Sequence, residues 1–541
     1  MIDVPVLIVG GGPVGLTASI YLSHFDVTSL LVERHPGTAI LPKARGINAR
    51  TMEMYRQIGL EDAIRAVAMP ARFGGMILWA ESLAGREIKR LAPGRGAAGN
   101  LAFSVAANCG CAQDILEPVL RHRAEASGPG RLRFQTELTE LQCSADGVRA
   151  TIRDSSGASE QVRARYLIAA DGSQSGIRHQ LGIARQGERD VYDSVNIHLR
   201  ADLTRWLSDR PAALYLIEQP NLRGTFLTIN GSDRWGFLVT SLSHYGYTPD
   251  QFTAAFCTEI VRRAVGSTDL EIEVLGVSAW TASALVADRY RCGPVFLAGD
   301  SAHEMPPTGG FGLNTGVQDV QNLAWKLAAV LHGEAGDALL DTYDPERRPV
   351  GEAATQASLQ NALSMGRTSR QTQAILPRGE FLNEIGLIFG ARYESAAVVP
   401  DGQPERSAQD QVQQYLPSAA PGCRAPHVWL SRAGQRLSTI DLVGREFVLF
   451  TTVRGAAWSE AAAGLEFPRI TSIVIGGDVQ DPDAGWLSAY GIDEDGAVLV
   501  RPDGHVGWRS RSNAGDPMVA LQAAVDAILC RAGAQATEGA S

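Results

Sequence analysis

The sequence predicts an α/β fold in which a parallel sheet with glycine-rich turns carries an inserted antiparallel sheet, followed by a separate C-terminal unit. Three strand-to-turn transitions predict the parallel sheet. Each is a short apolar run that leads into glycine, or into aspartate and glycine, and then into a helix pattern; the runs are residues 4–9, 166–170 and 295–298. Short continuous apolar runs of this kind are typical of strands that are buried on both faces.

The first turn, residues 10–15, has the spacing G-x-G-x-x-G and predicts a nucleotide site. A helix, expected to be amphipathic and to span about 16–25, follows it, and a second apolar strand at 29–32 ends at Glu33. Glycines let the backbone approach a pyrophosphate at the helix N-terminus, and a carboxylate after the second strand can accept the ribose hydroxyls. This pattern predicts a Rossmann-like dinucleotide-binding unit; a βαβ unit with a purely structural role is the alternative. The positions of the turn assigned to the ligand are Gly10, Gly12, Pro13, Val14 and Gly15.

The third transition, within residues 295–318, predicts the other end of the same ligand. Asp300 follows the strand and can offer a carboxylate to a ligand hydroxyl. The glycines at 309 and 310 let the backbone pass close to a flat group, and the helix that follows carries partial positive charge at its N-terminus. A polyol joined to a redox ring meets all three features. The Asp171-Gly172 pair of the second transition lies where open α/β sheets bind ligands, although such a pair by itself is more often only a turn.

Composition favours a soluble enzyme with several domains. The chain has 541 residues and a formal net charge of -10, which argues against nucleic acid or an anionic membrane as partner. No run approaches the roughly 18 continuous apolar residues of a membrane span. The seven cysteines are scattered, which predicts neither a disulfide framework nor a metal site and suits a reducing cytoplasm. We therefore expect a cytoplasmic monomer or homodimer that acts on a small molecule.

In their order and spacing, the three motifs resemble the single-component, class A FAD-dependent aromatic hydroxylases, which include para-hydroxybenzoate and phenol hydroxylases. The resemblance is closest to the branch that hydroxylates bacterial aromatic polyketides. Residues 43–58 are similar to its second FAD segment, and residues 111–120 to its glutamine-bearing helix. Segments at 425–430, 438–444 and 498–509 are similar to its appended C-terminal domain.

The resemblance implies FAD as cofactor and assigns it to residues of this chain. Glu33 would hold the adenosine ribose, with Arg34 beside it in the same set. Arg45 and Gln113 would hold the pyrophosphate and ribityl regions, and Asp300 the ribityl chain. Asp171 and Gly172 would support FAD and admit the nicotinamide. The loop and helix start beside the isoalloxazine would be Pro307, Gly309, Gly310, Gly312, Leu313 and Asn314.

The resemblance also implies a monooxygenase reaction. NAD(P)H and O₂ would serve to hydroxylate a phenolic or polyketide-type aromatic substrate through a C4a-hydroperoxyflavin, with NADPH and NADH both open as reductant. A Baeyer–Villiger oxygenation or an oxidative decarboxylation on the same scaffold stays open, as does a non-catalytic FAD-binding homologue. The sequence identifies no catalytic base; Tyr215, His198 and Asn48 are candidates, each of which can equally be an ordinary structural residue.

The motif order predicts a discontinuous domain organisation. We expect an FAD-binding domain at 1–72, 100–188 and 275–395, and an inserted antiparallel β-sheet substrate domain at 73–99 and 189–274. The composition of residues 396–422 indicates a linker. By resemblance, residues 423–541 form a thioredoxin-like domain. It lacks the redox C-x-x-C motif, because the sequence Thr-Val-Arg-Gly stands at 452–455 where that motif would be.

Overall fold

The computed structural model of this chain describes residues 1–91, 100–365, 384–403, 410–513 and 515–531. These residues confirm the predicted α/β fold class, with two large sheets and one smaller sheet. No helix in the described ranges has both the length and the apolar character needed to cross a bilayer. Elements are numbered along the chain. Two short ladders lie outside the three sheets: β3 (Gly46–Ile47) with β6 (Cys109–Gly110), and β19 (Trp429–Arg432) with β20 (Gln435–Ser438).

The first sheet places the three predicted transitions next to one another. Its strands, in order, are β16 (Arg291–Cys292), β17 (Val295–Leu297), β10 (Ser159–Ala169), β1 (Ile2–Val9), β2 (Ser29–Val32) and β7 (Gly130–Arg133), with β8 (Thr136–Ser144) and β9 (Gly147–Asp154) extending from β10. β17, β10 and β1 are parallel neighbours. Their carboxyl ends therefore bring all three glycine turns to one edge of the sheet, which is where open α/β sheets bind ligands.

Helices pack against this sheet and on one another. They are α1 (Pro13–His24), α2 (Ala49–Gln57), α3 (Glu61–Val67), α4 (Gln113–Ala126), α5 (Gly176–Gln180), α8 (Phe311–Leu331), α9 (Ala338–Asp341), α10 (Tyr343–Ser364) and α11 (Ile385–Phe389). The prediction that the first helix is amphipathic was wrong, because every residue from Gly15 to Ser23 is buried. α1 packs against both α4 and α8.

The second sheet is the predicted inserted sheet. In order, its strands are β18 (His303–Glu304), β15 (Glu273–Ala287), β11 (Arg185–Arg200), β14 (Arg234–Thr240), β13 (Leu222–Thr228), β12 (Leu214–Gln219), β4 (Ile77–Ala80) and β5 (Glu87–Leu91). All neighbours are antiparallel except β12 and β4, which are parallel. The helices α6 (Thr204–Leu207) and α7 (Ala254–Val265) share a core with one face, which contains Val195, Ile197 and Leu199. Because strand side chains alternate, Asn196 and His198 point to the other face.

Two predicted domain boundaries cut through long strands of this sheet. β11 begins at Arg185, before the expected boundary at 188, and β15 continues to Ala287, beyond the expected boundary at 275. These two strands pair with each other from Arg185 with Ala287 to Arg200 with Glu273. We therefore propose that the inserted domain begins at 185 and ends at 287. The remaining boundaries stay predictions, and residues 92–99, 366–383 and 532–541 lie outside the described residues.

The C-terminal unit is a four-stranded sheet of β22 (Ile470–Ile475), β21 (Phe447–Thr452), β23 (Ala497–Val500) and β24 (Val506–Ser510). Its helices are α12 (Ala456–Gly464), α13 (Trp486–Tyr490) and α14 (Pro517–Ile528). A parallel β21–α12–β22 unit is followed by the β23–β24 hairpin and α14, which is the connectivity expected of a thioredoxin-like domain. The described part of the predicted linker forms no helix or strand, and Val399 N and Gly422 N donate hydrogen bonds to the carbonyl oxygens of Gly507 and Val506. The linker is therefore held along β24.

Candidate cofactor and substrate site

A cavity of about 1310 Å³ lies between the parallel and antiparallel sheets. Gly12, Pro13 and Val14 of the first turn line one part of it, and Asp300 and the 305–314 loop line another. The face of the antiparallel sheet that carries Asn196 and His198 also contributes to the wall. Ligand pockets for one drug-sized molecule are roughly 300–1,000 Å³, so this volume is large enough for a cofactor and a second molecule.

Three glycines shape the turn after β1 in two different ways. A Cβ atom on Gly10, whose φ is +112°, would lie 2.2 Å from the carbonyl oxygen of Ala170, and a Cβ on Gly15 would lie 1.9 Å from that of Gly10. Only glycine allows these approaches. A Cβ on Gly12 would meet no atom within 4 Å, although Gly12 lines the cavity. Gly10 and Gly15 therefore build the turn, whereas Gly12 leaves space for a ligand at the N-terminus of α1.

Glu33 follows β2, and two backbone groups orient its carboxylate. Oε2 accepts a hydrogen bond from Gly11 N at 2.6 Å, and Oε1 accepts one from His35 N at 2.8 Å. The carboxylate is thereby held beside the glycine turn, where a ribose next to a bound pyrophosphate would be recognised. Arg34 is exposed, and its Nε donates to His35 Nε2 at 3.3 Å. The predicted role of Arg34 stays a prediction.

Asp300 follows β17 and faces the cavity. Its carboxylate is exposed to this space, but protein encloses it on its other sides. That enclosure raises the pKa of Asp300, whereas His303 and Lys43 act to lower it. A carboxylate in this position can accept hydrogen bonds from ligand hydroxyls, which is the role expected for a ribityl-binding residue.

The loop after Pro307 leads into the N-terminus of α8 and forms part of the cavity wall, with Gly310 as the residue before the helix. Asn314, in the first turn of α8, fastens this loop to the segment before α2. Its Oδ1 accepts from Asn48 N at 2.9 Å, and its Nδ2 donates to the carbonyl oxygens of Gly46 at 3.0 Å and Gly310 at 2.7 Å. The helix N-terminus therefore points into the cavity with its partial positive charge. The predicted residues that line this region together are Pro307, Gly309, Gly310, Gly312, Leu313 and Asn314.

Asp319 supports this loop from within α8 and was not predicted from the sequence. Its carboxylate accepts hydrogen bonds from Gly299 N at 3.1 Å and from Arg347 Nε at 2.9 Å, and it lies 2.8 Å from His303 Nε2. Burial acts to raise the pKa of Asp319, but His303 and Arg347 bring it below the usual value. His303 supports the loop through Asp319. An acidic residue inside a helix resembles a solvated position, so the sequence carried no signal for this role.

Arg45 lines the cavity, and its guanidinium is bonded to two backbone carbonyl groups. Its guanidinium donates to the carbonyl oxygen of Ala213 at 2.8 Å and to that of Thr228 at 3.0 Å. Both acceptors belong to the antiparallel sheet, so Arg45 joins the two parts of the cavity wall. A contact with a pyrophosphate would require it to leave both bonds. The role of Arg45 toward the cofactor stays a prediction.

Gln113 and Gly172 line the cavity, whereas Asp171, the other residue of the predicted Asp-Gly pair, does not. Gln113 lines the cavity, accepts from Ala44 N at 3.3 Å and donates to Glu117 Oε1 at 2.6 Å, so it also anchors the 43–45 segment. Gly172 lines the cavity, but the Asp171 side chain does not. Asp171 Oδ2 accepts from Ile177 N at 3.3 Å at the start of α5, and burial raises the pKa of this carboxyl. Asp171 thus orders the turn, and Gly172 is the member that meets the cavity.

The three candidates for a catalytic group have different surroundings. Leu214 faces the cavity, so alternation turns Tyr215 to the opposite side, where it is fully buried. The Tyr215 hydroxyl accepts from Ala212 N at 2.8 Å and donates to the Arg210 carbonyl at 3.1 Å. The prediction of Tyr215 as a catalytic candidate was therefore wrong.

Asn48 lines the cavity and also caps α2 through Thr51 N at 2.9 Å. His198 lines the cavity from β11.

Comparison with known proteins agrees with this geometry. A family model described as an FAD binding domain matches residues 3–358, and one described as the C-terminal part of aromatic-ring hydroxylases matches residues 418–532. The chain is 42% identical to a putative polyketide hydroxylase of Streptomyces halstedii, over 94% of this chain and 93% of the relative. It is 40% identical to the 4-methyl-5-nitrocatechol 5-monooxygenase of a Burkholderia species, over 98% of each chain.

A solved structure of aklavinone-11 hydroxylase with FAD and aklavinone superposes with a TM-score of 0.88, at 34% identity, over 98% of this chain and 100% of that one. The residues present here fit an FAD, because the turn at Gly12 leaves open space and a carboxylate and a helix N-terminus face the same cavity. The roles of individual residues toward FAD stay predictions. By sequence, fold and cavity, the chain is an enzyme that belongs to the family of FAD-dependent aromatic-ring hydroxylases.

Proposed function

We propose that this enzyme uses NAD(P)H and O₂ to hydroxylate a phenolic or polyketide-type aromatic substrate. The observation that carries the proposal is the single cavity whose wall includes both the predicted FAD-binding turn and loop and the face of the antiparallel sheet. A cofactor ring at the loop and a substrate at the sheet would share one enclosed space. The names of similar proteins, which include polyketide hydroxylases and a nitrocatechol monooxygenase, support this substrate class.

FAD, when bound, supplies the redox and oxygen chemistry of such a reaction. The protein contributes binding, orientation and exclusion of water. The N-terminus of α1, with Gly12, would bind the pyrophosphate. The carboxylates of Glu33 and Asp300 would accept hydrogen bonds from hydroxyl groups of the cofactor. The N-terminus of α8 directs its partial positive charge toward the ring end. The antiparallel sheet would cover the reacting ring and keep water from it.

Anaerobic reduction tests the proposal most directly. The FAD-loaded enzyme is mixed with NADPH or NADH, alone and with each member of a panel of phenols and hydroxylated quinones, and bleaching of the flavin is followed. Admission of ¹⁸O₂ should then yield a product that carries one ¹⁸O on an aromatic ring. Peroxide formation without any oxygenated product would contradict the proposal and favour a non-catalytic FAD protein. A ring-expanded ester or loss of CO₂ would instead indicate one of the alternative oxygenations.

We also propose that the enzyme works in a reducing compartment, the cytoplasm, as a monomer or homodimer. All seven cysteines are free thiols, and burial raises the pKa of Cys111 to about 12 and that of Cys257 to about 11. Such thiols are mostly protonated and poorly reactive at neutral pH. Light scattering of the FAD-loaded enzyme would measure its oligomeric state.

A further inference from the structure

On the cavity face of the antiparallel sheet, His198 lies between two glycines, and we call this part of the cavity wall the notch. This residue pairs with Gly236 of β14 on one side and with Gly276 of β15 on the other. A Cβ on Gly236 would approach Leu227 to 3.2 Å, and a Cβ on Gly276 would approach Leu41 to 3.0 Å; both leucines line the cavity. Because neither glycine has a side chain on this face, the side chains of Leu227 and Leu41 lie over the two glycines and flank the imidazole in the cavity wall.

The polar groups of this notch make no side-chain hydrogen bonds to the part of the chain that the structure describes. His198 Nδ1 is enclosed by protein without a partner, which leaves Nε2 as the ring nitrogen that can meet a ligand. Asn196 lies two residues earlier on the same strand, and its amide also lines the cavity. An unsatisfied polar group in a closed site costs about 1–3 kcal/mol. A ligand that offers a polar atom here would therefore be bound preferentially.

Around the notch, large apolar side chains lie among the small polar side chains of Thr225 and Ser278. Leu214, Leu227 and Leu238 on three consecutive strands face the cavity, and Trp280 on β15 adds an aromatic ring. Leu238 pairs directly with Asn196. A flat aromatic ligand can cover these side chains while one of its substituents reaches the polar centre formed by Asn196 and His198.

The electrostatics of the notch favour an uncharged substituent. Burial lowers the pKa of His198; Asp114 acts to raise it and Arg234 to lower it, and these two groups are paired at 2.5 Å. The imidazole is therefore mainly neutral at pH 7 and can donate or accept a hydrogen bond, but it offers no positive charge. Arg45, which also lines the cavity, directs its guanidinium at two backbone carbonyls.

We propose that His198 and Asn196 bind a neutral ring oxygen of the substrate, a hydroxyl or a quinone carbonyl, and thereby select such substrates over aromatic carboxylates and over rings without oxygen. The inference rests on the proposed function, because it places the aromatic substrate between the sheet and the loop at 307–312. His198 is then a specificity-determining residue.

Three probes with the same ring system test the selection: 1-naphthol, naphthalene and 1-naphthoate. Dissociation constants are measured with the FAD-loaded enzyme from the change in flavin absorption. The wild type should bind 1-naphthol about tenfold more tightly than naphthalene, which corresponds to about one hydrogen bond to a buried group, and 1-naphthoate should bind least. His198→Ala should abolish the preference for 1-naphthol while affinity for naphthalene stays within about twofold. His198→Gln, which keeps a donor and an acceptor, should restore part of the preference.

Two further variants separate recognition from general damage to the fold. His244→Gln makes the same change at an exposed site after the end of β14 and should leave all three constants unchanged. Gly236→Ala leaves His198 in place but its methyl group presses on Leu227 and moves that side chain within the cavity wall beside His198, so it should weaken binding of 1-naphthol more than binding of naphthalene. A wild type without preference for 1-naphthol, or a preference that survives both His198→Ala and Gly236→Ala, would overturn the inference. If the preference behaves as expected but no probe or phenol is ever hydroxylated, the proposed function fails and the binding inference stands.

Discussion

Gly12 and Gly15 lie in one turn, yet the structure gives their substitution different consequences. A Cβ on Gly15 would collide with the backbone of Gly10, whereas a Cβ on Gly12 would occupy empty cavity. The sequence motif treats the two positions alike. The folded turn separates them: Gly15 allows the backbone to approach Gly10 closely, whereas Gly12 leaves open space in the cavity.

We predict that Gly12→Ala folds normally but loses FAD. The apoprotein should melt within about 2 °C of the wild type, since surface changes usually cost less than about 0.5 kcal/mol. Its affinity for FAD should fall at least about tenfold, because the methyl group fills space needed by the pyrophosphate. Gly15→Ala should lower both stability and FAD binding. Gly128→Ala, at another glycine with no atom within 4 Å of a Cβ, is the control and should alter neither. Unchanged FAD affinity in Gly12→Ala would contradict the predicted position of the pyrophosphate.

Tyr215 gives a second prediction at this scale. Replacement by Phe removes the donor to the Arg210 carbonyl and leaves Ala212 N without its acceptor. The free energy of unfolding should decrease by about 1–2 kcal/mol. The values of kcat and KM should stay within about twofold, because the hydroxyl lies on the far side of the sheet from the cavity. Urea denaturation and steady-state kinetics of the same preparation measure both, and a large loss of kcat would restore Tyr215 as a catalytic candidate.

Helix α8 links the cofactor loop to the rest of the fold through Asp319. The Asp319 carboxylate accepts one hydrogen bond from the backbone N–H of Gly299, the residue before Asp300, and another from the guanidinium of Arg347 on α10. Arg347 Nη1 donates in turn to the Tyr393 hydroxyl at 3.0 Å, and the Tyr393 ring stacks on His505 of the C-terminal unit at 3.9 Å between ring centroids. The loop that carries Asp300 is therefore supported by three elements at once.

We predict that Asp319→Asn destabilises the enzyme strongly. Removing one partner of a buried ion pair leaves the other charge uncompensated, which costs about 3–5 kcal/mol, and Arg347 would be that charge. FAD should also bind more weakly, because Gly299 and His303 lose the group that orders them. Thermal unfolding and FAD titration of the variant measure these effects. Glu494→Gln, in an exposed pair with Arg454, is the matched control and should change stability by less than about 1 kcal/mol. Equal melting temperatures for both variants would contradict this role of Asp319.

Strand and helix patterns in the sequence predicted much of this fold. The features that they did not predict have physical reasons. Apolar runs such as 4–9 and 295–298 predicted β1 and β17 because a parallel strand must be apolar on both faces. The sequence could not show which face of a strand meets the cavity, so Tyr215 and His198 were equal candidates until the register separated them. It also missed Asp319, because the partners of this carboxylate lie 16 residues away for His303 and 28 for Arg347.

At the scale of the whole molecule, buried charges join the C-terminal unit to the cofactor-binding part. Arg501 donates to Glu346 Oε1 at 2.7 Å and to Asp503 Oδ2 at 2.5 Å, and Lys326 Nζ lies 2.7 Å from Glu346. All four side chains are fully buried. Trp325 Nε1 donates to Asp503 as well, at 3.2 Å. The β23–β24 turn is thus packed against α8 and α10. These contacts indicate a structural role for the C-terminal unit, whose sequence lacks the C-x-x-C redox motif.

His505 makes this junction sensitive to pH. Burial lowers its pKa to about 4, with Arg50 and Arg501 acting in the same direction and Asp503 opposing them. In the unfolded chain a histidine titrates near 6.5, so between pH 6.5 and 4 the unfolded state binds more protons. Stability should therefore fall as pH decreases through this window, by at most about 3 kcal/mol from this residue.

Denaturant titrations of the wild type at pH 7.5, 6.0 and 5.0 should show this decline. The His505→Gln variant cannot gain the proton, so its decline should be smaller even if its stability at pH 7.5 is already reduced. His427, whose pKa burial also lowers to about 4, should account for part of the decline that remains. Identical pH dependence in wild type and variant would show that His505 is not held neutral in the folded enzyme.

We expect one dinucleotide to extend from the glycine turn and Glu33 to Asp300 and the N-terminus of α8. Titration of the apoprotein with FAD and, separately, with FMN tests it most directly, because FMN has the ribityl and ring portions but lacks the adenosine half. FAD should bind at least about 100-fold more tightly than FMN, equivalent to about 2.7 kcal/mol contributed by the turn and Glu33. Equal affinity for FAD and FMN, or failure to bind FAD at all, would contradict it.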